Sequence, residues 1–233
     1  MRPLTAAGWI AFITVPGGAV TVIGRASPEF GRIVGSTTAV TACSNSCCTI
    51  VTFVGHQPHD NSIWVYLETI GGGGGARPNK DGLDGVHVHI TNTSNLPVEA
   101  LEIEYPLTML RYELVENSGG PGRYRGGMGL RRVYRAEHEC RVRLDVSRLR
   151  SQSWGLFGGL PGAGGRIEAG PGVKFDHDNA TLQAGQWFAA VMPGAGGYGP
   201  PADRDRAAVA RDLAQGVIDQ DTARRVYGDS STG

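Results

Sequence analysis

The sequence predicts a mainly β fold of the α+β kind: a body of short strands and glycine-rich turns, closed by a helical hairpin at the carboxyl terminus. Three observations lead there. Gly 36 and Pro 13 among 233 residues are too many for a helical protein and mark turns, bulges and close backbone approaches. Several runs alternate bulky with small, or charged with apolar, residues at the two-residue period of a half-buried strand. Only after Pro200-Pro201 does the apolar spacing become helical. With 40% hydrophobic residues the chain can bury one good core or two small ones.

Along the chain, residues 1–41 are short apolar, β-branched pieces broken by Gly and Pro, such as Ala19 to Ile23 before Gly24. The β-rich body is expected over 42–201. Ile63 to Ile70 reads as a strand stopped by the five glycines Gly71 to Gly75, and Val86 to Thr91 alternates again. Val98 to Tyr105 suits a strand or a short helix before Pro106. Leu110 to Val115 and Arg141 to Val146 have strand patterns, the second with one wet face, and the apolar Trp187 to Met192 fits a buried strand. Over 202–233, Asp203 is placed to cap a helix stopped by Gly216, and Asp219 a second one stopped by Gly228.

Lys+Arg 22 against Asp+Glu 22 leaves no net field to attract nucleic acid or an anionic membrane, so neither is expected as a partner. The apolar run Ala6 to Val15 is too short to span a bilayer and lacks the flanks of a signal peptide. Cys43, Cys47, Cys48 and Cys140 lack zinc-ribbon spacing and read as reduced thiols, which points to the cytoplasm.

Three stretches can carry chemistry. The glycine run after Glu68 can curl into an anion-binding nest, but no Gly-Lys-Ser/Thr ending follows, so it is not a nucleotide-binding P-loop; a packing turn is the bland alternative. In HVHITNTSNLPVE, His87 and His89 share a face if the segment is a strand, and Asp81 or Asp84 can join them around a divalent metal. Packed imidazoles, with Asn92 and Asn95 bonding turn backbone, are the structural alternative. In SGGPGRYRGGMGLRR, Arg123, Arg125, Arg131 and Arg132 sit among glycines, as a two-pronged carboxylate or phosphate site would, or as solvated arginines on a turn. His56, His59 and Asp60 form a weak metal pattern, and no Gly-x-Ser-x-Gly elbow is present.

Taken in order, ETIGGGGGA, the HVHITNTSNLPVEALEIEYP run, SGGPGRYRGGMGLRR, WGLFGGLPG and PGAGGYGPPADRD followed by YG resemble the carboxyl-terminal part of the hydantoinase B/oxoprolinase family. The resemblance runs from about Cys43 to Gly228, firmly from Glu68. It departs at Ala195, where the family usually has glycine, and at Asp219, where serine is common. It implies opening of a cyclic amide such as a hydantoin or 5-oxoproline, driven by ATP that a hydantoinase A-like companion subunit or domain handles. It also implies a longer amino-terminal portion holding most of the metal and catalytic groups, so that this chain is a fragment or subunit and belongs to an oligomer. Acetone-carboxylase-like chemistry shares the same resemblance, and a non-catalytic assembly module is the rival. The expected pocket has His87, His89 and Glu99 as catalytic groups, with Asn92, Asn95, Arg123 and Arg125 binding the substrate or an anionic intermediate.

Overall fold

A computed structural model describes residues 41–45, 49–88, 91–146 and 148–228 with their side chains, and residues 11–14 and 20–23 as backbone. His89, Cys47 and Cys48 lie outside the described residues. The amino-terminal pair β1 (Ala11–Thr14) and β2 (Val20–Ile23) is antiparallel, with Ala11 opposite Ile23.

Two antiparallel sheets of four strands make the body. In the first, β4 (Ile63–Ile70), β3 (Thr49–His56), β7 (Cys140–Asp145) and β9 (Asn179–Leu182) lie side by side in that order. In the second the order is β5 (Leu107–Leu114), β6 (Leu130–Ala136), β10 (Trp187–Val191) and β8 (Arg166–Ala169). The strands expected at 63–70, 110–115, 141–146 and 187–192 are therefore present, with ends shifted by a few residues at most.

The two-residue period explains why the sheets stack. On β4, Trp64, Tyr66, Glu68 and Ile70 are buried while Ile63, Val65 and Leu67 are exposed. Phe53 of β3 meets Tyr134 of β6 at 5.2 Å and Phe188 of β10 at 5.8 Å between ring centroids, so three rings join the sheets. Full burial of each such side chain is worth about 1.5–3 kcal/mol.

Helix α1 (Val98–Glu104) settles the strand-or-helix ambiguity. Alternation would bury Ile103 with Leu101, yet Leu101 is fully buried and Ile103 is 83% exposed. Good helix formers following Pro97 carry a single turn-spaced anchor into the core. Of the strand expected at 86–91, the described residues 86–88 and 91 are instead irregular backbone with one bridge, Val86 to Gly72. Past that bridge the chain turns, with the Thr91 N–H and hydroxyl both donating to the Val88 carbonyl.

The hairpin forms from α2 (Arg206–Ala214) and α3 (Gln220–Tyr227) after a 3-10 turn at Pro201–Asp203. Asp205, not Asp203, caps α2, because the extended backbone of Arg204 breaks the helical path between them. Asp219 caps α3 through the Thr222 N–H at 2.7 Å, and Gly228 ends it in the left-handed conformation at φ 66°, as expected. Val209, Val217, Ile218, Ala223 and Tyr227 close a second, small core on Met128.

Between sandwich and hairpin, glycine-rich segments outside the regular strands cross backbone on backbone. The Gly73 N–H donates to the Pro193 carbonyl, Gly127 to Gly74, Ala195 to Gly127, and Gly194 to Ala163, at 2.9–3.1 Å. A Cβ on Gly127 would stand 1.9 Å from the Leu83 carbonyl oxygen, and one on Gly194 would stand 1.8 Å from that of Ser118. Neither neighbour is a flexible side-chain tip, so the chain has no way to yield.

Gly127→Ala or Gly194→Ala is expected to cost about 3 kcal/mol or more by chemical denaturation. Gly185→Ala, with φ 82° but nothing within 4 Å of the added carbon, is expected to cost only about 1–2 kcal/mol. Equal losses at all three positions would contradict the close packing.

Candidate functional site

Glu68 is the one carboxylate on the inward row of β4, and its surroundings define the site. Its Oε1 accepts the Leu96 N–H at 3.0 Å, and its Oε2 accepts Arg132 Nη1 and, at 3.3 Å, the Tyr134 hydroxyl. Arg132 sits on the inward row of β6 with no exposure at all. Burial works against its charge, and the oxygens of Tyr134, Glu68, Tyr112 and Tyr66 outweigh that. The Tyr112 ring lies over the guanidinium at 4.4 Å. Burial, aided by Glu68, pushes the Tyr66 hydroxyl well above the usual phenol range.

Beside this pair a cleft of about 560 Å3 opens along the free edge of β4, between Tyr66, Glu68 and Thr69 on one side and Asn95, Leu96 and Tyr105 on the other. Asn95 spans it, donating from Nδ2 to the Thr69 carbonyl at 2.7 Å and accepting the Tyr112 hydroxyl at 3.2 Å. Thr69 Oγ1 in the cleft lining, Nε and Nη2 of Arg132 behind Glu68, and both ring nitrogens of His87, which feels the Glu68 charge, are shielded from water without a protein partner. Buried donors are nearly always bonded, so such a concentration marks a place for a ligand or ordered water. Burial lowers the His87 pKa below its ordinary 6.5, while the Glu68 carboxylate pulls the other way. The ring is therefore a neutral imidazole at pH 7. A larger concavity of about 700 Å3 on the outer sheet face, lined by Thr52, Val54, Arg141, Arg143 and Lys174, holds none of these unpartnered atoms.

A second buried network lies in the glycine region. Arg125 forks onto Asp84 at 2.7 and 3.0 Å and approaches Asp212 at 3.5 Å. Arg204 forks onto Asp81, both bonds at 2.8 Å, and reaches Asp212 at 2.6 Å. Burial alone would raise the Asp81 pKa, but the hydrogen bonds and charge of Arg204, with Arg125, bring it below the usual carboxylate value. Asp81 and Asp84, which the sequence offers as possible oxygen ligands beside the histidines, are both salt-bridge partners of arginines. Among the described residues no three His, Cys, Asp or Glu side chains are placed to hold a metal ion.

Of the residues expected to form a pocket, Asn95 lines the Glu68 cleft, while His87 lies outside its lining, near enough to Glu68 to feel its charge. Asn92 and Glu99 are exposed on the chain that flanks the cleft wall. Arg123 is exposed against the Tyr124 ring, with its backbone bonded to Gly199 and Arg204. Arg125 is engaged by Asp84 three residues before His87, so it positions the loop that bears the imidazole. His56 and His59 are exposed, with His59 only 3.6 Å from Asp60. The pairing of Glu68 with Arg132 is what the sequence patterns do not predict, though a signal exists: each is the charged member of an inward row on an alternating strand.

Glu68→Gln leaves Arg132 buried without its counter-charge and is expected to cost about 3–5 kcal/mol; Glu68→Gln with Arg132→Met should regain much of it. A denaturation cycle with additive losses would show that the pair does not couple. For His87 the sign runs with its lowered pKa. Above pH 6.5 its titration contributes nothing; as pH falls below 6.5 the unfolded chain takes up the proton first, and stability declines until the folded pKa is reached. Thermal melts should show this mild-acid loss in the wild type and a smaller one in His87→Gln.

The profile of the family described as Hydantoinase B/oxoprolinase matches residues 14–201. It reaches well before Cys43, where the motif resemblance begins, and stops as the hairpin starts. The chain is 35% identical over 188 residues to a protein named as a D-/L-hydantoinase subunit in Pseudomonas sp. strain NS671, covering 77% of this chain and 31% of that one. Its structure is similar to the ATP-dependent caprolactamase of Pseudomonas jessenii, with a TM-score of 0.62, 27% identity and coverage of 84% of this chain and 36% of that chain. It shares the fold of the nucleotide-free acetone carboxylase of ATP-dependent acetone carboxylation, with a TM-score of 0.66, 23% identity and coverage of 85% of this chain and 31% of that chain. The chain thus spans about a third of the length of these proteins. With a profile match over most of its length and the expected order of glycine and histidine motifs, it belongs to the hydantoinase B/oxoprolinase family.

Proposed function

We propose that this chain forms the β-sandwich part of an ATP-dependent hydrolase that opens cyclic amides of the hydantoin or 5-oxoproline type. The β4-edge cleft is one wall of the reaction pocket. The observation that carries the assignment is the concentration of shielded, unpartnered polar atoms around the buried Glu68–Arg132 pair, directly beside an open cleft. Neutral His87 is suited to exchange a proton with a ring nitrogen, and the Asn95 amide to orient a ring carbonyl. Asn92 and Glu99 flank that wall and His89 follows His87 in the same stretch of sequence, as candidates for the rest of the pocket; Arg123 and Arg125 frame the adjoining glycine bends.

ATP would be handled by a hydantoinase A-like companion subunit or domain in a cytoplasmic oligomer, in keeping with relatives whose names describe them as ATP-dependent or as one subunit of a larger enzyme. A divalent metal would be held mainly by other parts of the enzyme. Among the described residues no helix is long and apolar enough to cross a membrane.

A second reading, an assembly module, draws on a different observation. Ile63, Val65 and Leu67 are 70%, 55% and 59% exposed on the outer face of β4, an apolar strip suited to burial against another polypeptide.

The test is ATP-dependent ring opening of hydantoin or 5-oxoproline by the chain assembled with its companion. Asn95→Ala and His87→Gln, checked for folding, should each lower kcat about 10- to 100-fold with ATP affinity unchanged. Near-normal turnover in both, with loss of assembly in Ile63→Asp, which lies on the strip but outside the cleft lining, would leave the module reading in its place.

A further inference from the structure

Arg132 uses one nitrogen, Nη1, on Glu68 and leaves Nε and Nη2 without a protein partner, although the residue is wholly buried. Those two N–H groups lie on the same edge of the guanidinium and point side by side, the arrangement that grips one or two acceptor oxygens. An apolar side chain would fill this inward position of β6 without orphaned donors, so the guanidinium is a destabilising choice unless something accepts from it.

Charge decides which acceptor. Glu68 already balances Arg132, and the neighbouring Tyr66 and Tyr134 hydroxyls stay protonated. A carboxylate or phosphate placed on the free edge would add an uncompensated negative charge to a dry site. A neutral carbonyl oxygen adds only a dipole.

Access is set by Tyr112. Its ring covers the guanidinium at 4.4 Å, the residue is 47% exposed, and its hydroxyl donates at 3.2 Å to Asn95, which lines the cleft. Rotation of that side chain into solvent gives up this long hydrogen bond and the ring contact, and opens the guanidinium face on which the ring lies, behind the Glu68 that lines the cleft.

We propose that the free Nε/Nη2 edge of Arg132 is a receptor for the carbonyl oxygen of a neutral ring amide, and that Tyr112, tethered to Asn95, is the cover displaced when it binds. The inference rests on the reading of the β4-edge cleft as the reaction pocket. It adds the group that recognises the amide carbonyl and a preference, at that edge, for a neutral acceptor oxygen over a charged one.

The test follows the arginine Nε–H resonances of the full chain by proton–nitrogen NMR, with the Arg132 signal identified by its loss in Arg132→Lys. Titration with 2-pyrrolidinone should shift this signal saturably, while acetate and inorganic phosphate at equal concentration and ionic strength leave it in place. Arg132→Lys, if folded, should bind the lactam at least about tenfold more weakly. If that variant does not fold, Tyr112→Phe replaces it for the cover: loss of the Asn95 tether should raise lactam affinity measurably, and an unchanged affinity would remove Tyr112 from the proposal. A signal moved by acetate or phosphate but not by lactam, or moved by none of them, overturns the assignment. Ring opening by the assembled enzyme with an unmoved Arg132 signal would sink this inference alone; a shifted signal without ring opening in the assembly would uphold it and sink the functional reading.

Discussion

Everything in this fold depends on main-chain segments approaching one another more closely than any side chain permits. Where Gly127 lies against the Leu83 carbonyl and Gly194 against that of Ser118, amide hydrogen bonds run across the contacts and even a methyl group has no room. The stack costs conformational entropy, since glycine loses more freedom on folding than other residues. That loss is offset by two cores that clamp the layer from either side, the sandwich through Leu130 and Met192 and the hairpin through Met128. Such a layer holds its loops rigid without helices or regular strands, which is what a pocket wall built from turns requires.

The buried charges follow from the same constraint. Glycine loops present carbonyls and amides but no ionic groups, so long side chains from elsewhere must tie them down. Arg204, from the entry to the hairpin, reaches 123 residues back to Asp81 and eight forward to Asp212. Arg125 answers with Asp84 and Asp212. Two arginines and three aspartates thereby lock the hairpin onto the loop that leads, within three residues of Asp84, to His87. The hairpin lies outside the family profile match yet is wired electrostatically to the edge of the candidate pocket.

Much of this is legible in the sequence because strands advertise themselves by period two. Ile63 to Ile70 and Trp187 to Val191 emerge nearly where the alternation or apolar run places them, and Asp219 and Gly228 mark α3 by capping chemistry alone. Pattern fails where backbone contacts, not side chains, decide the conformation. Val86 to Thr91 alternates like a strand, but Val86 is paired with Gly72 and the chain then turns. Asp203 looks as good a cap as Asp205 because nothing local reveals that Arg204 is pulled into extended backbone by Asp81 and Asp212. The arginines among glycines read alike in sequence; only the fold separates Arg123 in solvent, Arg125 locked to Asp84, and Arg132 in the core.

That separation bears on chemistry more than on stability. A buried ion pair such as Glu68 with Arg132 contributes little net stability compared with well-packed apolar residues, because desolvation consumes most of the attraction. Its persistence at the centre of a sandwich that already has Phe53, Tyr134 and Phe188 to hold it together is therefore better explained by what the pair does for its neighbours. Fixing Glu68 on the Leu96 N–H anchors the segment that carries Asn95, and balancing the guanidinium internally leaves its other edge as a strong but neutral-selecting donor. The same carboxylate acts on His87 from a distance, tempering the loss of basicity that burial imposes. One buried glutamate thus anchors the segment bearing an amide, balances a guanidinium and tempers the effect of burial on an imidazole.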